Sequence, residues 1–335
     1  MVLRFRWAAL LATVLALLLG CGALQTARAA TAAASPVQVA IRIDNVYGFS
    51  ERQKTYAVEG QLLLTLPNTL VTTLQRQQLT AIQLLSFENR IEEWNSRVEP
   101  ITPEPRPVPG SRGQRLQQAY RFSGTFYADT INYRQAPFGM VPLTVNIQDD
   151  AGELADLGER IRLVPQPSQS TVGRRIGLTG YNLQNWQLRS RNNGVQMVLR
   201  YSPNDGAMVV KWILPLLITM LIMLLTPNIS SAQASDRLSV PPVVLLTLVF
   251  LQQGYRETLP TLPYLTVLDQ LYAVSYVVTL AFFCLFIWGS NRLQSCPEEQ
   301  RIQAARRMDR WDLRLQACSV ALYGLVVVRG LGWLP

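Results

Sequence analysis

The hydrophobic pattern of this sequence changes period once, near Tyr201, and that change constrains the fold more than any other feature. Before it, apolar residues recur at every second position. Val37, Val39, Ile41 and Ile43 form one such run, Leu143, Val145 and Ile147 another, and Val195, Met197 and Leu199 a third. Period two marks strands with one buried face. Similar runs at residues 56–66, 81–87, 118–127, 160–164 and 184–190 predict about eight to ten short strands. Only residues 68–78 suggest an amphipathic helix. Strands of this kind pack as an antiparallel, immunoglobulin-like β-sandwich, expected over residues 30–205. Within it, EPITPEPRPVPGSRG (residues 99–113) is too rich in proline to pair and predicts an extended loop. RNNG (residues 191–194) predicts a tight hairpin turn.

After Tyr201 the period-two pattern gives way to long apolar runs. These predict helices at about residues 209–226, 238–254, 264–288 and 313–333, a four-helix membrane bundle within 206–335. Each is long enough to cross about 30 Å of hydrocarbon. Charged residues make up only 16% of the 335-residue chain, against about 25% in ordinary soluble proteins. Positive charge orients the bundle. Segment 289–314 holds Arg292, Arg301, Arg306, Arg307, Arg310 and Arg314, while 255–263 holds only Arg256. The bias puts the arginine-rich side in the cytoplasm and the β-domain outside. Residues 1–29, with Arg4 and Arg6 before an apolar stretch and Ala27-Arg28-Ala29 at its end, have the pattern of a signal peptide. LLGC at residues 18–21 offers a second reading, a lipoprotein site at Cys21. Either way the chain is expected to be multi-pass, with its N-terminal domain exported.

The chemistry available is narrow. There is no histidine, and of the four cysteines none falls between residue 30 and the first membrane run. Histidine-based hydrolysis and thiolate metal sites are thereby excluded from the exported part, and any proton sensing must use carboxylates. No nucleophile–base constellation is visible, so no enzyme, cofactor or metal is expected. The +9 net charge comes from scattered arginines on an exported chain, which argues against nucleic acid as a partner.

One run is shorter and more polar than a plain anchor. As a helix, SDRLSVPPVVLLTLVFLQQGYRETLP (residues 235–260) lines up Ser239, Val243, Leu246, Phe250, Gln253 and Glu257 on one face, polar at both ends and apolar between. Val244, Leu245, Leu248, Val249 and Leu251 are left to pack on other helices. By periodicity this is either a wall of a closed bundle or a pore lining.

The order of parts and several strings resemble the pentameric ligand-gated ion channels, the bacterial relatives of the Cys-loop receptors. WILPLL with Pro215 is similar to that family's first membrane helix, DRLSVPPVVLLTLVFL to its pore helix, and RETLPTLPYLTVLDQLY to its loop into the third helix. GYNLQNWQL, VLRYS and INYRQAPFGMVPLTVNI resemble its last strands and central loop more loosely. The resemblance implies a homopentamer embedded in lipid and gated by an unknown small ligand or protons. Asp236 and Ser239 would select permeant cations at the cytoplasmic mouth, with Arg237 turned away behind them. Val243, Leu246 and Phe250 would form the gate, Gln253 and Glu257 the outer pore, and Arg256, Glu257, Pro260 and Pro263 a coupling loop.

The sequence also departs from that pattern. Pro241 and Pro242 predict a helix start near Ser239, leaving Asp236 and Arg237 on a loop. Gly139 and Pro203 stand where the family carries an acidic and a basic residue, so Glu51, Arg52, Arg256 and Glu257 are expected to rebuild the link between domains. The RNNG turn is too short to cap a ligand pocket, and no ligand site is assigned. Trp94, Tyr120, Phe122, Tyr127 and Trp186 are expected as core or surface residues. These departures motivate a different reading, a non-conducting, membrane-anchored periplasmic receptor or scaffold.

Overall fold

A computed structural model describes residues 34–330 except 92–95, 112, 151, 153, 155–159, 193 and 231–232. The expected signal segment with Cys21, Trp94, and the end of the last apolar run at 331–333 lie outside the described residues.

The N-terminal domain is built from two sheets. In chain order its strands are β1 (Ser35–Ser50), β2 (Thr55–Pro67), β3 (Leu85–Phe87), β4 (Arg90–Ile91), β5 (Arg97–Pro100), β6 (Arg106–Pro107), β7 (Arg115–Tyr127), β8 (Val141–Asp149), β9 (Ile161–Pro165), β10 (Thr171–Arg175), β11 (Tyr181–Arg191) and β12 (Gly194–Pro203). One sheet runs β10-β1-β2-β7-β4, with β9 also on β1 and β5 and β6 also on β7; the other runs β11-β12-β8-β3. Tyr56, Leu62, Leu64, Phe122 and Phe126 from the first sheet meet Leu143, Val145, Met197 and Leu199 from the second in one core. Tyr120 and Phe122 are buried there, Trp186 packs on its edge, and Tyr127 is exposed.

Three local expectations are corrected. The domain is not wholly antiparallel, because β1 pairs in parallel with β9 and β10. The chain reaches these positions by crossing over from β8 in the other sheet, so no hairpin sets their direction. Residues 81–84 form a 3-10 turn closed by a Thr80–Gln83 capping box, leaving only β3 as strand. The proline-rich segment does pair. Ile101 N–H donates to the Ala119 carbonyl at 2.8 Å and Val108 N–H to the Arg115 carbonyl at 3.0 Å. Both donors directly follow a proline, and both short strands lie at an edge of β7, where a missing N–H faces outward at little cost. The RNNG hairpin forms, with Asn192 at φ +49° and Arg191 opposite Gly194. A Cβ on Gly194 would stand 2.3 Å from the Ile147 carbonyl oxygen, so only glycine fits.

The helices are α1 (Asn68–Arg76), α2 (Asp205–Asn228), α3 (Ala234–Arg256), α4 (Val267–Gln294) and α5 (Glu298–Gly330). Four of them, α2 to α5, are long and apolar enough to cross a membrane. In α2 a wide π turn, Val209–Ile213, ends two residues before Pro215, on the side where a proline ring crowds the preceding turn. The expected start of α3 near Ser239 is wrong, since the helix begins at Ala234 and runs through both prolines. Burial of Arg237, described below, holds the segment helical despite two missing N–H donors. The start of the fourth span is also earlier than expected. Residues 298–312, read as part of a loop, are the first turns of α5. After Pro297 this stretch is composed of Glu, Gln, Ala, Arg, Met and other helix-compatible residues, without glycine or proline to interrupt it. Gly289 of α4 brings α5 close, because a Cβ there would stand 2.9 Å from Met308 Cε. A second core joins α2, α3 and α4 and includes Tyr133 and Ala136 from the loop before β8.

Candidate pore face and domain junction

Helix α3 has two unlike faces. At about 100° per residue, Arg237, Pro241, Val244, Leu248 and Tyr255 share one side, and all are buried. The opposite side carries Asp236, Ser239, Val243, Leu246, Phe250, Gln253 and Glu257, and all are exposed. Val243, Leu246 and Phe250 retain 63%, 57% and 64% of their surface, about as much as outward apolar residues of the other long helices such as Val277 and Val320. Val249, expected to pack inward, is also exposed and widens this apolar band. From Asp236 to Glu257 the face extends about 32 Å along the axis, close to the hydrocarbon thickness. Its end groups interact only locally. The Ser239 hydroxyl donates to the Asp236 carbonyl at 2.8 Å, and Gln253 Nε2 to Glu257 Oε1 at 3.4 Å.

Adjacent charges at the start of α3 have opposite fates. Asp236 is exposed, whereas Arg237 turns inward and pairs with Asp312 of α5 at 3.1 Å, both side chains being under a tenth exposed. The same guanidinium donates to the Ile229 carbonyl at 2.7 Å and to the Pro227 carbonyl, and it lies 5.5 Å from the Phe286 ring centroid. One side chain thus ties α3 to the α2–α3 connection, to α4 and to α5. Arg237 lies in the helix and not on the loop that the prolines predicted, and its side chain enters the bundle. Asp312 was not anticipated, because nothing local in the sequence links it to Arg237.

At the other end, the expected coupling residues are only partly brought together. Arg256 pairs with Asp269 of α4 at 2.8 Å, within the helical domain. Glu257 is exposed, and Pro260 and Pro263 lie in the connection between α3 and α4. Beside Glu51, the link to the β-domain is made by residues the sequence reading passed over. Asp269 also accepts from Thr266 N–H at 3.0 Å, Thr266 Oγ1 at 2.9 Å and Gln252 Nε2 at 3.4 Å, and Tyr276 donates to Gln252 Oε1 at 2.8 Å. The buried Tyr255 hydroxyl lies 3.0 Å from Thr266 Oγ1 and 3.3 Å from the Ala136 carbonyl in the β-domain. Its ring meets Trp212 edge to face, and the Arg134 guanidinium covers the Tyr264 ring. The TVLD string, Thr266 to Asp269, has the capping-box spacing that would have flagged this node.

Glu51, in the turn between β1 and β2, belongs to the same junction. Its carboxylate accepts from the Tyr181 hydroxyl, and its carbonyl accepts from the Tyr133 hydroxyl at 3.2 Å. Burial raises its pKa above the ordinary value, while Tyr181 and nearby Lys211 pull the other way. Arg52 is exposed, and Gly139 and Pro203 bring no charge. Among the described residues each ion pair stays within one domain, so this contact is made by hydroxyls, carbonyls, rings and the Arg134 guanidinium over Tyr264. Compared with protein-family models and with curated proteins, the sequence gives no match to either.

Proposed function

We propose that this protein is a homopentameric, ligand-gated cation channel of a bacterial inner membrane, with α3 lining the pore and the β-domain in the periplasm. The observation that carries this reading is the exposed face of α3. Its polar–apolar–polar order is opposed by a fully packed face, and a helix so arranged needs either lipid or copies of itself around an aqueous axis. Lipid suits the band at Val243, Leu246 and Phe250 and accepts Asp236 and Glu257 at its boundaries, but Ser239 and Gln253, about 21 Å apart along the axis, fall inside about 30 Å of hydrocarbon. A central axis suits both, since acidic rings attract cations at the mouth and apolar rings close the passage by dewetting. The arginines of residues 289–314 support the orientation.

Planar-bilayer recording of the purified protein tests this reading. Asp236→Arg should abolish or reverse the cation preference, and Leu246→Ser should raise spontaneous opening. An unchanged preference in the first variant would remove Asp236 from the selectivity role. Particle images should show a ring of subunits about a central axis.

A junction without a cross-domain ion pair among the described residues favours a second reading, a non-conducting receptor or scaffold with the same architecture. It is supported if Leu246→Ser, assembled as a ring in the bilayer, remains electrically silent.

A further inference from the structure

The outer face of α5 is charged in its first half and apolar in its second, and it changes over at Arg314. Met308, Asp312, Ser319 and Val326 are buried against the bundle. On the side away from them Arg306, Arg307, Arg310 and Arg314 fall within an arc of about 100°, and all four are exposed. Beyond Arg314 the exposed face carries Val320, Leu325 and Val328. Trp311, 51% exposed, flanks the arginines, with the Arg314 guanidinium 5.1 Å from its ring centroid. Among the described residues none of these four arginines is in an ion pair, and the one additional contact is Arg310 Nε to the Arg306 carbonyl at 3.4 Å. Asp309 is exposed on the neighbouring face.

We infer that this face is a binding surface for anionic phospholipid headgroups. Arginines on consecutive turns, from 306 to 314, span about 12 Å just outside the apolar length of the helix. That is the depth at which phosphate groups lie when the apolar half is in acyl chains. Guanidinium forks match phosphate oxygens, and the long side chains reach along the helix to them. An aromatic ring beside the changeover sits where indoles favour the headgroup level. The inference rests on α5 crossing a membrane and is independent of conduction.

The test uses the full chain reconstituted into vesicles of equimolar phosphatidylcholine and phosphatidylglycerol, with the bromine quencher carried by one lipid or the other. The Trp311 signal is isolated by subtracting Trp311→Phe. Quenching should show about a fivefold preference for phosphatidylglycerol around Trp311. Molar salt should remove the preference, as should Arg306→Gln with Arg310→Gln, whereas the corresponding lysine pair should keep it. Equal quenching by both lipids in the unmodified protein overturns the proposal while leaving the span intact, and assigns the arginines to a soluble acidic partner. Preference surviving both high salt and the glutamine pair also overturns it. No quenching of Trp311 by either lipid overturns the proposal together with the membrane reading of α5.

Discussion

Helix α3 carries an arginine–aspartate pair at each end, and the two are built differently. At the Arg237 end both charges are buried, and the guanidinium is further held by two backbone carbonyls and a ring. At the Arg256 end the carboxylate is buried while the arginine is 42% exposed. Asp269 is there the hub, bonded to Thr266 and Gln252 as well as to the arginine. The first arrangement is a clamp in which neither partner can be spared. The second is a carboxylate-centred network with the arginine at its rim. The β-domain therefore meets α3 at its less tightly paired end.

The largest effect is expected from breaking the clamp. Removing one member of a buried pair leaves the other charge unpaired, which costs about 3–5 kcal/mol. Asp312→Leu and Arg237→Met should each lower the melting temperature of the detergent-purified protein steeply. The double variant should recover part of the loss, because no lone charge remains. Additive losses in the double variant would show that the pair is not coupled and that the clamp description is wrong.

At the Arg256 end the two partners should separate in size. Asp269→Ala strips several charge-assisted hydrogen bonds and should cost about 1.5–3 kcal/mol, whereas Arg256→Gln, at a partly solvated site, should cost about 1 kcal/mol or less. Equal losses would turn the hub into a second clamp. Molar salt should shrink the Arg256→Gln effect and leave the Asp312→Leu effect nearly unchanged, since screening reaches exposed charges first. Tyr255→Phe, which deletes the hydroxyl between Thr266 and Ala136, should cost about 1 kcal/mol, and melting curves of the three variants side by side would rank them.

The contrast between the ends also marks what the sequence could disclose. The opposed faces of α3 follow from side-chain order, so the exposed line from Ser239 to Glu257 was legible. The RNNG hairpin and the existence of four long apolar helices were legible for the same reason, each being a local pattern. The start of α3 was not, because proline propensity argued for Ser239 while a contact with residue 312 decided for Ala234. Local preference loses when burial of a distant partner outweighs it. Nor could spacing show that Asp236 and Arg237, adjacent in sequence, would face solvent and core respectively. β5 and β6 were missed because proline in a strand is prohibitive only away from an edge, and edges are properties of the assembled sheet.

The smallest expected effect lies across the junction, at Glu51, where the comparison extends into the β-domain. Burial favours the neutral carboxyl in the folded protein, so the folded pKa lies above the ordinary value near 4.5. The folded state then binds more protons than the unfolded state in the window between those two values, and stability falls as pH rises through it. The contribution of the protonated group is complete below about 4.5 and is lost once the folded pKa is passed. Glu51→Gln keeps an oxygen to accept from Tyr181 but removes the titration. Melting temperatures measured from acid to neutral pH should therefore converge for the two proteins at the acid end. As pH rises the unmodified protein should fall relative to the variant, by less than any change at Arg237 or Asp269. A variant that instead loses ground toward neutral pH would mean that the ionised carboxylate is favoured in the fold. Tyr181 and Lys211 would then outweigh burial, and the junction would be ionic like the clamp at the far end of α3.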